Sequence, residues 1–184
     1  MKKIFLFSFI TFISAEYFQI DSLMIGGIER KYFVSNPDGF IPTPTPLIIN
    51  MHGLNMTPDQ QMQMTGFDIW GVDYSQITLV YPEGMLNNDG QRSWNVGTYW
   101  DQNNYDDIGF ISAMIDSIAD DYNIDLDRVY VCGFSNGGYM AYELACELSD
   151  KIAAFGSVSG NFMLNDDQNC YNNREIPIMH IHGT

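Results

Sequence analysis

Short, nearly continuous apolar runs recur along the chain, and each closes on glycine. Leu47-Ile48-Ile49-Asn50-Met51 leads into His52-Gly53, Ile77-Thr78-Leu79-Val80-Tyr81 into Pro82-Glu83-Gly84, and the run from Arg128 to Cys132 into Gly133. Ala153 to Val158 ends at Ser159-Gly160, and Ile176 to Ile181 at His182-Gly183. This is the pattern of strands buried on both faces, as in a parallel sheet. Between the runs the spacing changes. Ile108, Ile111, Ile115, Ile118 and Tyr122 recur at three- and four-residue steps, one face of an amphipathic helix. Asp106 and Asp107 stand at its start, where the helix dipole favours negative charge. Tyr139, Met140, Leu144 and Leu148 predict a second helix over 137–148. Strands alternating with helices predict an α/β sheet with right-handed crossovers. Upstream, Tyr17 to Ile25 and Ile28 to Ser35 flank Gly26-Gly27 and predict an antiparallel β-hairpin. Asn36 to Pro46 is rich in proline and reads as a loop, as does the aperiodic stretch from Asn87 to Tyr105.

The N-terminus follows a different pattern. A basic start, Met1-Lys2-Lys3, precedes an apolar run from Ile4 to Ile13, and Ser14-Ala15 precedes Glu16. This layout predicts a secretory signal peptide over 1–15 and a single domain over 16–184. The run is too short to span a bilayer, and no later stretch reaches spanning length. The length of 184 residues suits one domain, and 46% hydrophobic with 17% charged residues excludes general disorder. A net charge of −15 argues against nucleic acid and anionic membrane surfaces as partners. Export would let cysteines pair. Cys132 lies in an apolar strand and reads as a buried free thiol, which leaves Cys146 with Cys170 as the favoured disulfide. No Cys-x-x-Cys is present.

Chemistry concentrates at Gly133-Phe134-Ser135-Asn136-Gly137, a Gly-x-Ser-x-Gly after an apolar strand and before a helix. That is the context of a nucleophile elbow. The chain must turn sharply with serine at the tip, and side chains two residues either side would collide, so glycine is needed at both. Ser135 is the candidate nucleophile. The backbone N–H of Asn136, next in the chain, and that of Leu54, in the loop after the first core strand, are the candidate oxyanion donors. The His52 ring is expected to have a structural role, bonding neighbouring loops.

These stretches carry a family resemblance. The chain resembles the secreted polyhydroxybutyrate depolymerases and their feruloyl- and acetylxylan-esterase relatives, of the α/β-hydrolase fold. The likeness runs through Arg30-Lys31-Tyr32, Pro46 to Gly53, Tyr81-Pro82-Glu83-Gly84, Ser93-Trp94-Asn95, and Asp106-Asp107-Ile108-Gly109-Phe110. It is most specific from Asp125 to Met140 and ends at His180-Ile181-His182-Gly183-Thr184. The resemblance implies a secreted serine ester hydrolase that works through an acyl-enzyme on polyhydroxyalkanoate-type, feruloyl or acetyl esters. It implies no metal or organic cofactor. It also implies Trp94 near the substrate cleft, beside which a plain core or loop role stands equally open.

A serine needs a base, and the order in this fold is Ser, then Asp or Glu, then His. His180 and His182 are the histidines after Ser135, so Ser135, Asp166 or Asp167, and His182 keep that order. In the family, however, His-Gly-Thr leads into the loop that carries the triad aspartate, and the histidine follows later. The expectation is therefore of a chain cut short before its acid and base, with His182 as the alternative base. Two other readings stay open: a non-catalytic or carbohydrate-binding pseudoenzyme, and an acyltransferase or peptidase on the same fold.

Overall fold

The computed structural model describes residues 18–35, 42–67, 76–97, 103–163, 170 and 174–183. The predicted signal segment 1–15, Asp166, Asp167 and parts of both predicted loops lie outside these residues.

The hairpin comes first. β1 (Gln19–Ile25) and β2 (Ile28–Ser35) pair antiparallel around Gly26 and Gly27, whose φ angles of 57° and 83° suit glycine. β3 (Thr45–Met51) is followed by α1 (Pro58–Thr65), β4 (Thr78–Pro82) and a short hairpin of β5 (Met85–Leu86) with β6 (Arg92–Ser93). Then come α2 (Asp107–Asp121), β7 (Ile124–Phe134), α3 (Asn136–Glu147), β8 (Ala154–Val158) and β9 (Ile178–Ile181). The main sheet has the order β1-β2-β4-β3-β7-β8-β9. β2 meets β4 antiparallel, and every pairing from β4 to β9 is parallel. This is the α/β-hydrolase architecture expected from the chain, with the antiparallel hairpin at one edge.

Alternation across the central strands separates two apolar layers. Leu47, Ile49 and Val80 point into the larger core, with Phe110, Ile111, Met114, Ile115 and Ile118 of α2 and Met140, Ala141 and Leu144 of α3. Ile48, Leu79 and Tyr81 point the other way, where Met62 of α1 packs with Phe18 and Phe33. α2 is the expected helix, with the Asp106 carboxylate accepting from Gly109 N–H at 2.8 Å as its N-cap.

α1 had not been predicted. Its exposed face is polar and its apolar stripe is thin, so periodicity is weak. The signal lies in the caps instead: Thr57 and Gln60 form a reciprocal capping box, Pro58 opens the helix, and Gly66 closes it at φ 60°. Cys146, near the end of α3, is disulfide-bonded to Cys170, with Cα atoms 5.1 Å apart. Cys132 is free, as expected, but partly rather than fully buried. No described helix is long and apolar enough to cross a membrane.

Candidate active site

The site lies where the central strands end. β7 runs to Phe134 and α3 begins at Asn136, so Ser135 alone makes the turn, at φ 50° and ψ −116°. A non-glycine residue with positive φ stores strain, and surrounding structure must hold it there. The Ser135 N–H donates to the Val158 carbonyl at 2.8 Å, and the Ser135 carbonyl accepts from Tyr139 N–H at 3.0 Å. The glycines permit close approach. A Cβ on Gly133 would strike the Gly137 carbonyl, and one on Gly137 would strike the carbonyls of Met51 and His52. One on Gly138 would sit 2.8 Å from Ser157 Oγ. The elbow is therefore pressed against the loop that follows β3.

Four loops meet behind the serine, at the ends of β3, β4, β6 and β7. His52 is fully buried. Its Nδ1 pairs with the Gly53 carbonyl at 2.8 Å, and its Nε2 accepts from Gly84 N–H at 2.9 Å. Those partners define a neutral ring protonated on Nδ1. Burial lowers its pKa from 6.5 to about 4, the Gly53 bond opposes that fall, and Arg92 adds to it. Trp94 packs on the ring at 5.0 Å between centroids and donates its indole N–H to the His52 carbonyl at 2.9 Å. Asn136 completes the set, its Oδ1 accepting from Trp94 N–H at 2.7 Å and its Nδ2 donating to the Trp94 carbonyl at 3.2 Å.

A second layer supports this one. Asp107 accepts from Asn95 N–H at 2.7 Å and is ion-paired with Arg30 at 2.6 Å, both side chains being buried. The Arg30 guanidinium also lies 4.2 Å over the Phe110 ring. Burial raises the Asp107 carboxyl above its ordinary value, while Arg30 and the Asn95 N–H work against that rise. Desolvation likewise pushes the Cys132 thiol up to about 12, which favours its protonated form.

The expected residues are thus placed as follows. Ser135 is partly exposed, and Leu54 lies partly buried in the turn after β3. The His52 ring bonds neighbouring loops, as anticipated. Trp94 is 0% exposed, so it offers no face to a ligand and supports the site from behind. His180 pairs through Nδ1 with the Tyr142 hydroxyl at 2.8 Å, and the His182 ring stacks on it at 5.5 Å. Neither contact involves Ser135. Among the described residues no three His, Cys, Asp or Glu are grouped to hold a metal. Sequence reasoning did not foresee the role of the Asn136 carboxamide, the Gly84 N–H or the Arg30–Asp107 pair. Each depends on residues brought together from distant parts of the chain.

A family model described as Phospholipase/Carboxylesterase matches residues 41–184. The chain belongs to the phospholipase/carboxylesterase family. Members of wider kinship include a bifunctional acetylxylan esterase/xylanase of Neocallimastix patriciarum, 33% identical over 159 residues, covering 86% of this chain and 22% of that protein. Feruloyl esterase C of Emericella nidulans is 28% identical over 159 residues, covering 84% of this chain and 54% of that one. The chain therefore spans about half or less of these relatives' length. In fold, it is similar to a thermostable esterase at TM-score 0.70 and 23% identity, over 89% of this chain and 46% of that chain. An S-formylglutathione hydrolase from Staphylococcus aureus follows at TM-score 0.62 and 16% identity, over 79% and 57%.

Proposed function

We propose that this protein is a secreted serine carboxylic ester hydrolase acting on feruloyl or acetyl esters of plant polysaccharides. The carrying observation is Ser135, held at positive φ between the central strand and α3 with glycine on both sides. The names of the two curated relatives favour polysaccharide-linked esters over polyhydroxyalkanoates. The predicted signal at 1–15 and the Cys146–Cys170 disulfide favour export, with 16–184 as the hydrolase domain.

In this reading Ser135 Oγ attacks the ester carbonyl and its proton passes to a histidine base. The backbone N–H groups of Leu54 and Asn136 receive the oxyanion, the alcohol leaves with the proton from the base, and water hydrolyses the acyl-enzyme. His52 is not the base, since both of its ring nitrogens are engaged and its ring is sealed. His180 and His182 are the histidines of this chain that follow Ser135 in the order the fold uses.

The test is covalent labelling of the full-length protein by a fluorophosphonate, alongside hydrolysis of methyl ferulate and p-nitrophenyl acetate. Labelling and hydrolysis are expected, and both are lost in Ser135→Ala. A Ser135→Ala variant that still labels would overturn the assignment of the nucleophile. Loss of hydrolysis in His182→Ala, with labelling greatly slowed, would identify His182 as the base.

A further inference from the structure

An oxyanion site made of two backbone N–H groups has a geometric problem. Leu54 and Asn136 belong to segments 82 positions apart in the chain, yet their donors must reach one oxygen atom at about 2.7–3.1 Å. An error on the order of 1 Å is enough to cost about 100-fold in rate. Backbone packing brings the segments together, since Gly137 lies against the carbonyls of Met51 and His52.

We infer that the Asn136 carboxamide is a positioning residue that locks the two oxyanion donors in register. This rests on the reading of Ser135, Leu54 and Asn136 given above. The side chain is 1% exposed and so is covered from solvent and ligand. Both of its polar ends meet the same residue: Oδ1 takes the Trp94 N–H at 2.7 Å, and Nδ2 gives to the Trp94 carbonyl at 3.2 Å. An N–H can only donate and a carbonyl only accept, so these partners set the orientation of the amide. The pairing resembles one rung of a β-ladder made by a side chain. From Trp94 the connection continues through the indole N–H to the His52 carbonyl at 2.9 Å, two residues before Leu54. From His52 it continues through the ring to Gly53 O and Gly84 N. The circuit starts on the residue that supplies one donor and ends in the loop that supplies the other. A buried network with its partners met rigidifies the segments it joins.

The chemistry of the amide makes a specific test. Asn136→Asp keeps an acceptor for the Trp94 N–H but, when ionised, sets a second oxygen against the Trp94 carbonyl. When protonated, its O–H can donate to that carbonyl and the rung is restored. Asn136→Ala removes both contacts and leaves the backbone N–H of residue 136 in place. Trp94→Phe removes the single indole bond and keeps most of the ring, so it remains informative where the others fold poorly.

The experiment measures kcat and KM for p-nitrophenyl acetate over pH 5–8 on the full-length protein, and inhibition by an arylboronic acid, which mimics the tetrahedral adduct. Folded fractions are matched by near-ultraviolet circular dichroism. Asn136→Ala is expected to lower kcat about 10- to 100-fold, with KM changed less than about 3-fold and boronate affinity falling with kcat/KM. Asn136→Asp is expected to recover kcat relative to the native protein as pH falls, and Trp94→Phe to show a smaller loss of the same kind. Folded Asn136→Ala with kcat within about 3-fold of native, or Asn136→Asp with no pH-dependent recovery, overturns the inference. The parallel Ser135→Ala measurement separates the two levels. If Ser135→Ala is inert while the Asn136 variants stay active, only the positioning role fails. If Ser135→Ala stays active, the nucleophile assignment fails first, and the positioning role falls with it.

Discussion

Acid should act on this protein through His52 in a way that can be isolated. The ring is buried, its Nε2 accepts from Gly84 N–H, and its pKa is lowered from 6.5 to about 4. A folded-state pKa below the unfolded value means that the unfolded chain takes up its proton first as pH falls. The contribution of neutral His52 is therefore fully present above about 6.5, shrinks as pH drops below that, and is gone near 4. The span between those two values is worth about 3 kcal/mol at about 1.36 kcal/mol per pH unit. That is a large part of the ~5–15 kcal/mol stability of a typical domain. Protonation also turns Nε2 from acceptor to donor and sets it against the Gly84 N–H. Urea unfolding at pH 7.5, 6.5, 5.5 and 4.5 gives the stability curve of the native protein and of His52→Gln, whose amide does not titrate. Carboxylates titrate in both proteins and cancel in the difference. The native protein is expected to lose about 3 kcal/mol more than the variant as pH falls to about 4. Parallel curves would refute the reasoning, since they would mean that His52 carries the same protons folded and unfolded.

Three further outcomes follow from packing. Asp107→Asn leaves the buried Arg30 charge without its partner and is expected to cost about 3–5 kcal/mol in urea unfolding. Arg30→Met combined with Asp107→Asn should recover part of that loss, and a purely additive double variant would contradict the buried-pair account. Gly137→Ala drives a methyl into the Met51 and His52 carbonyls and is expected to abolish soluble, labelled protein, whereas Gly90→Ala meets no atom and should cost only the strain of φ 74°. Reducing Cys146–Cys170, whose cysteines are 24 positions apart, is expected to lower stability by about 3 kcal/mol on the chain-entropy estimate. Equal urea midpoints with and without reductant would dismiss that contribution.

What could be read from the chain was whatever a local pattern encodes. β3 and β4 were legible because buried parallel strands are apolar throughout, and the elbow because strain and clearance restrict it to glycine around serine. β8 and β9 share that apolar pattern and do form parallel strands, but the expectation of burial on both faces fails for them: β8 is only partly buried, and β9, the outermost strand of the sheet among the described residues, is exposed along its whole length. β7 begins at Ile124, four residues before the apolar run read from the sequence, since Asp125 and Asp127 interrupt the apolar pattern there. In the fold the segment is held by Arg128, whose Nε donates to Asp125 at 2.6 Å and whose Nη2 donates to the Pro44 carbonyl at 2.8 Å. Trp94 carried no local sign that its ring would be sealed. A tryptophan between serine and asparagine is compatible with a cleft wall or with a core, and only the arrival of His52 and Asn136 from elsewhere decides. Arg30 and Asp107 look like surface residues in sequence, and their burial follows from β2 and α2 meeting over Phe110.

The circuit of His52, Trp94 and Asn136 has one more consequence. None of these three side chains is ionised at neutral pH, although the protein around them carries a net charge of −15. Two electrostatic regimes are thereby kept apart. Far from the surface the molecule acts as a diffuse anion, whose reach shrinks to about 8 Å at physiological ionic strength. Within the buried circuit the polar groups are fixed dipoles closed off from solvent, which dissolved ions screen little. Salt can thus govern which molecules approach this protein while leaving the circuit behind the serine almost untouched.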